Sequence, residues 1–228
     1  MRNKGFTLAE VLVTLGIIGV VSALTIPTLV KRNTNATHVQ QLKKVYTTMM
    51  QMAQTAMTEN NVDDLHETLL GVPENASAAV QKAAVKSFLN TYFKIAVDCD
   101  SNPVPCFADS YKALNGSNLS WLTDVPRGSC ASLADGTAIC MSGGMWPSTP
   151  YWHQWIPIFI DVNGPKGPNI AGRDFFYFEL YSDGKIAEAY SEPIDSMEAK
   201  FENSCQSNNN YAVGCFTKIV LDGWKMDY

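Results

Sequence analysis

Phe6 to Val30 is a run of 25 residues whose one charged side chain is Glu10. As a helix it would extend ~37 Å at ~1.5 Å per residue, enough to cross a bilayer core of ~30 Å. Arg2 and Lys4 precede it, and Lys31 and Arg32 follow it. Three uses fit such a run. It can be a permanent single-pass anchor. It can be a secretory signal cut at the small-x-small site Val21-Ser22-Ala23. Or the chain can be cut early, between Gly5 and Phe6, leaving the apolar helix on the mature protein.

Glu10 separates them. An ionised side chain in hydrocarbon costs at least a few kcal/mol, and neither a plain anchor nor a secretory signal has a use for one. The early cut creates an α-amino group on Phe6, which titrates near ~8 and stays cationic at neutral pH. That amine can pair with Glu10, within one helix at i,i+4 spacing or between subunits, offsetting the burial of either charge.

The stretch "KGFTLAEVLVTLGIIGVVSALTIP" closely resembles the amino terminus of type IV pilins and type II secretion pseudopilins. The resemblance implies that Gly5 precedes the scissile bond and that Phe6 is the N-methylated first residue. It also implies that Glu10 pairs with a neighbouring subunit's amine to set axial register. Gly16 and Gly19, with Ser22 and Ala23, offer a small-residue stripe for close helix packing, or are ordinary transmembrane glycines. Pro27 removes a helical hydrogen bond, so a kink or local melting is expected there.

From Lys31 the helical pattern turns amphipathic. Val39, Leu42, Val45, Tyr46, Met49, Met52, Ala53 and Ala56 keep an i, i+3, i+4, i+7 rhythm, so one helix is expected from Phe6 to Thr58, ended by Glu59-Asn60-Asn61. A second is expected over Ser77–Phe93, with Val80, Ala84, Phe88 and Tyr92 inward. Beyond Asp98 the chain reads as strands and turns: Thr137–Met141, Trp155–Val162, Phe175–Tyr181, Lys185–Tyr190 and Cys215–Leu221, with a hairpin at Ser182-Asp183-Gly184. This is an α+β, pilin-like fold, a long helix packed on an antiparallel sheet head. Its parts are a leader (1–5), a transmembrane and assembly helix (6–30), its amphipathic continuation (31–58) and a head (59–228). The segments "DVNGPKGPNIAGRDFFYFELYSDGKI" and "GCFTKIVLDGWKMDY" look like head sequences of large pilin-like proteins.

Six cysteines, at 99, 106, 130, 140, 205 and 215, lack C-x-x-C metal or redox spacing. Behind a membrane-targeting segment an even count reads as disulfides; the alternative is buried free thiols in a chain that is not exported. Sequence does not choose among the connectivities. Neighbour pairing, Cys99–Cys106, Cys130–Cys140 and Cys205–Cys215, is the expectation, each worth roughly 2.5–3 kcal/mol in the chain-entropy model.

The net charge is −5. The first 32 residues carry +3, which leaves −8 on the rest, an acidic body without a basic stripe for nucleic acid. The loop from Asp161 through Asn163 and Asn169 to Asp174 supplies four side-chain oxygens for calcium. Its spacing departs from the EF-hand, and the same residues form ordinary turns. Some major pseudopilins hold calcium in a head loop. Trp146, Tyr151, Trp152, His153 and Trp155 crowd together, as head core in preference to a docking patch. His38, His66 and His153 are scattered, no G-x-S-x-G elbow or phosphate loop occurs, and the acid pairs Asp63/Asp64 and Asp98/Asp100 read as turn or helix-end residues. No catalysis is expected.

The resemblance therefore implies a pseudopilin or minor pilin of a type II secretion pseudopilus or type IV pilus-like filament. Its partners would be other such subunits, a prepilin peptidase and methyltransferase, an inner-membrane assembly platform and lipid. Its place would be the bacterial inner membrane, amino terminus cytoplasmic and head periplasmic or extracellular. Two other classes fit less well: a monomeric membrane-anchored module binding calcium, a glycan or a protein, and a secreted enzyme freed at Ala23.

Overall fold

The computed structural model describes residues 7–119, 127–145, 155–188, 200–206 and 213–228. Helix α1 spans Leu8–Asn60, 53 residues and on the order of 80 Å long. It ends at Asn61, whose left-handed backbone (φ 54°) turns its N–H back to the Met57 and Thr58 carbonyls. Its first half packs against nothing. An 18-residue window of mean hydropathy 2.2 is wholly exposed, long and apolar enough to cross a membrane. Its second half buries His38, Val39, Leu42, Val45, Met49, Ala53, Ala56 and Met57, one stripe at three-to-four-residue spacing. The helix runs through Pro27 without a break, contrary to the melting expected there. Proline removes only its own N–H bond, and the turns on either side remain paired.

Ser77 caps α2 (Ala78–Tyr92), accepting from the Val80 N–H. Its buried residues are Gln81, Val85, Phe88 and Leu89, while Val80 is 45 % exposed. The inward face is thus rotated from the expected one. Gln81 can sit inside because its amide donates to the Ala76 carbonyl at 2.8 Å, satisfying a polar group that a hydrophobicity pattern places outside.

Six strands form one antiparallel sheet in the order β1-β4-β5-β6-β7-β8: β1 Ile95–Asp100, β4 Gly128–Leu133, β5 Ala138–Ser142, β6 Trp155–Asp161, β7 Phe175–Tyr181 and β8 Ile186–Ala187. A separate small hairpin pairs β2 (Tyr111–Lys112) with β3 (Asn118–Leu119). The expected Lys185–Tyr190 strand is cut to two residues within the described chain, and its last two positions lie outside it. Gly184, at φ 80°, closes the β7–β8 turn with its N–H on the Tyr181 carbonyl. Asp98 and Asp100 lie on β1 and pair with Lys82 and Lys86 of α2. Asp64 caps a 3₁₀ turn at Leu65–Glu67.

The largest correction is Cys215–Leu221, expected as a strand and found as helix α3. Cys215, Phe216 and Ile219 point inward, and the Glu188 carboxylate accepts from the Phe216 and Thr217 N–H groups at 3.4 and 2.8 Å. Those contacts satisfy first-turn donors that the β-branched sequence alone does not. Gly214, at φ 97°, makes the entry; a Cβ there would lie 2.6 Å from the Phe201 nitrogen.

Every residue of β7 is buried. Phe178 meets Phe216 of α3 at 5.2 Å between ring centroids, and Phe216 meets Tyr46 of α1 at 5.4 Å, so sheet, α3 and α1 share one core. On the other face Phe175 packs on Tyr111 at 4.5 Å. Disulfides join Cys99 to Cys106, Cys130 to Cys140 and Cys205 to Cys215. The second links directly paired residues of β4 and β5.

Candidate functional site

Glu10 begins the exposed half of α1 in a capping box. One carboxylate oxygen, Oε2, accepts from both the Thr7 N–H and the Thr7 hydroxyl, each at 2.8 Å. The Glu10 N–H donates back to Thr7 Oγ1 at 3.2 Å. Two helix-start donors are thereby satisfied within the helix itself. The other oxygen, Oε1, accepts no hydrogen bond from any described residue. A carboxylate accepts several donors, so the box orients the group and leaves Oε1 able to accept a further donor.

Sequence reading picked out Glu10 and overlooked Thr7. The signal was present in Thr7-Leu8-Ala9-Glu10, a T-x-x-E capping box ahead of an apolar run. A Cβ added at Gly16 or Gly19 would meet nothing within 4 Å, so the small-residue stripe is open to another helix. Pro27 lies on the same exposed half. Gly5 and Phe6 lie outside the described residues.

In the head, Asp161 is hydrogen-bonded to Asn163 and Asp174 to Asn169. Asp161 Oδ2 accepts from the Tyr111 hydroxyl at 2.6 Å, and Oδ1 from the Asn163 N–H at 3.1 Å. Asp174 accepts from the Asn169 and Ile170 N–H groups, both at 2.7 Å. Both aspartates are fully buried. Asn163 Oδ1 and Asn169 Oδ1 are buried without hydrogen-bond partners. Among the described residues no three His, Cys, Asp or Glu side chains converge as a metal-ligand group. His38 is buried on α1 and His66 stands beside Asp64 at 2.8 Å. Of the aromatic cluster only Trp155 is described, half-buried on β6; Trp146, Tyr151, Trp152 and His153 lie outside the described residues.

Burial sets the electrostatics here. It raises the Asp161 carboxyl to about 8 against the Tyr111 hydrogen bond, and the negative Asp174 adds to the rise. Burial likewise raises Asp174, and it pushes Glu188 to about 7 against the α3 N–H donors. A raised folded-state value means that the folded protein holds these protons after the unfolded chain has released them near ~4. Between pH ~4.5 and 8 the folded state therefore binds more protons, and stability falls as pH rises. The thermal midpoint of the head is expected to be higher at pH 5 than at pH 8, and Asp161→Asn to flatten that slope. A midpoint that rises across this interval would contradict the assignment.

Residues 1–26 match the family model described as the prokaryotic N-terminal methylation motif. No curated protein and no solved structure matches the chain. With Glu10 at the start of an exposed, membrane-length helix, residues 1–26 are the prepilin-type signal of type IV pilins and pseudopilins, carried here ahead of an α+β head with a six-stranded sheet and three disulfides.

Proposed function

We propose that this chain is a structural subunit, a pseudopilin or minor pilin, that assembles into a type II secretion pseudopilus or type IV pilus-like filament. The observation that carries this is the methylation motif on a helix whose Glu10 is held by Thr7 with one oxygen open. Arg2 and Lys4 retain the leader in the cytoplasm while the apolar half of α1 holds the subunit in the inner membrane. Prepilin peptidase cuts after Gly5, and Phe6 becomes the methylated terminus. The assembly platform then moves the helix from lipid into a fibre core. There the amine of one subunit meets the Glu10 of the next, and Gly16 and Gly19 let helices approach. The protein itself makes and breaks no substrate bonds.

Intact mass and terminal peptide mapping of the unreduced protein from its native membrane test this reading. The expected species begins at N-methylated Phe6. It is about six mass units lighter than its thiol form, two hydrogens for each disulfide. A chain beginning at Leu24 would remove the filament reading.

The unpartnered Asn163 and Asn169 oxygens beside two buried aspartates support a second, separate proposal: that the 161–174 loop takes calcium, as a membrane-anchored binding module would. A divalent cation would offset the Asp161–Asp174 repulsion most where both ionise. Calcium would then raise the midpoint at pH 8 more than at pH 5, and equal midpoints in calcium and EDTA at pH 8 would dispose of it.

A further inference from the structure

Where the exposed half of α1 gives way to its packed half, the carboxy-terminal tail folds back beside it. Arg32 and Asn35 of α1 and Trp224, Lys225 and Asp227 of the tail line a cleft of about 300 Å³, at the low end of small-ligand pockets. The tail is fixed from several sides. Asn35 Nδ2 donates to the Met226 carbonyl at 2.9 Å, and the Tyr228 hydroxyl to the Gly172 carbonyl at 2.8 Å. Trp224, in the left-handed region at φ 62°, packs on Tyr46 and Phe216, with Lys43 Nζ 5.4 Å from its ring centroid.

Position and charge together indicate an occupant. Val30 ends the apolar run, so Arg32 and Asn35 stand ~3–8 Å beyond it along the helix. The headgroup layer occupies roughly that interval on each side of the hydrocarbon. Trp224 stands farther out, against Tyr46 and under Lys43, so the tail closes the head side of the cleft while Arg32 and Asn35 form its membrane side. Arg32 and Lys225 are exposed, and neither forms an ion pair among the described residues. With Arg32 and Lys225 against Asp227 as the one acid of the cleft wall, the site carries a net positive charge. An Arg fork matches phosphate oxygens in a bidentate manner.

We propose that this cleft binds the phosphate of an anionic phospholipid headgroup, fixing the head against the membrane surface. The inference rests on the apolar half of α1 lying in a bilayer, and not on filament assembly. Each cation close to an anionic surface strengthens partitioning roughly fivefold, so Arg32 and Lys225 together account for about a twenty-fivefold preference.

The full chain in nonionic detergent is titrated with short-chain phosphatidylglycerol or phosphatidylcholine, and bound lipid is counted by native mass spectrometry. Wild type is expected to prefer phosphatidylglycerol by roughly twenty-fivefold. Arg32→Gln/Lys225→Gln is expected to lose that preference, and Arg32→Lys/Lys225→Arg to keep most of it. Lys112→Gln/Lys166→Gln, removing two exposed head cations outside the cleft, is the charge control and should behave as wild type. No preference in wild type, or equal loss in the control pair, overturns the proposal. Displacement of lipid by excess inorganic phosphate would make this a free-phosphate site and overturn it as well. A protein that never enters filaments but keeps the preference refutes the filament reading and leaves this one standing.

Discussion

Glu10→Ala is expected to leave cleavage between Gly5 and Phe6 and membrane insertion intact, while removing the chain from sedimentable filaments. Insertion survives because the substitution deletes the one charge in the apolar run, which lowers the cost of entering lipid. Assembly fails because the incoming amine finds no counter-charge. Breaking a buried ion pair by deleting one partner costs about 3–5 kcal/mol, more than a hundredfold at each subunit contact. Glu10→Gln separates the two jobs of the side chain. The amide oxygen can still accept from the Thr7 N–H and hydroxyl, which Oε2 now does at 2.8 Å, but it offers no charge. Failure of both variants assigns the effect to charge pairing between subunits. Recovery with Gln would assign it to the capping box, worth only about 1 kcal/mol. Normal incorporation of the Ala variant would remove the pairing mechanism altogether.

What could be read in advance followed the strength of periodicity. The stripe from Val39 to Ala56 is set by one helix against one core, and six of its eight positions are buried as the spacing implies; Tyr46 and Met52 are partly buried. Strands β5, β6 and β7 were legible because their apolar runs are central in the sheet. Strands β1 and β4 were not, since Asp98 and Asp100 on one and Gly128, Ser129 and Ser132 on the other do not resemble strand core. They are strands because neighbours, α2 and a disulfide define their surroundings. Cys215–Leu221 was misread for the same reason: its helix depends on Glu188, 27 residues before its first residue, and on Gly214. Long-range donors and acceptors leave no local pattern. At the amino terminus the carboxylate was conspicuous by chemistry, while the Thr7 partner needed the capping geometry to be considered.

Phe178→Ala is expected to be the most damaging single change in the head. Phe178 is fully buried, pairs with Ile158 across β6–β7, and holds Phe216 at 5.2 Å. Phe216 in turn packs on Tyr46 and Trp224, so the cavity would open where sheet, α3 and α1 join. Truncations of this kind cost about 3–5 kcal/mol, against total stabilities of about 5–15 kcal/mol. At roughly 2–4 °C per kcal/mol for domains of this size, the midpoint should fall by about 6–20 °C. Phe178→Leu keeps most of the volume and should lose about a third as much. The readout matters. The first half of α1 touches nothing in the head, so in a micelle its helix outlasts the melting of everything else, and far-ultraviolet circular dichroism stays partly native. The near-ultraviolet tyrosine and tryptophan signal reports the packed part of the chain, because every Tyr and Trp lies beyond Arg32. A single transition coincident at both wavelengths would mean that the two halves of α1 melt as one unit, and that the exposed half draws stability from head packing that the structure does not give it. A fall of less than about 2 °C for the Ala variant would mean that the junction repacks, and that Phe178 is not what joins the long helix to the sheet.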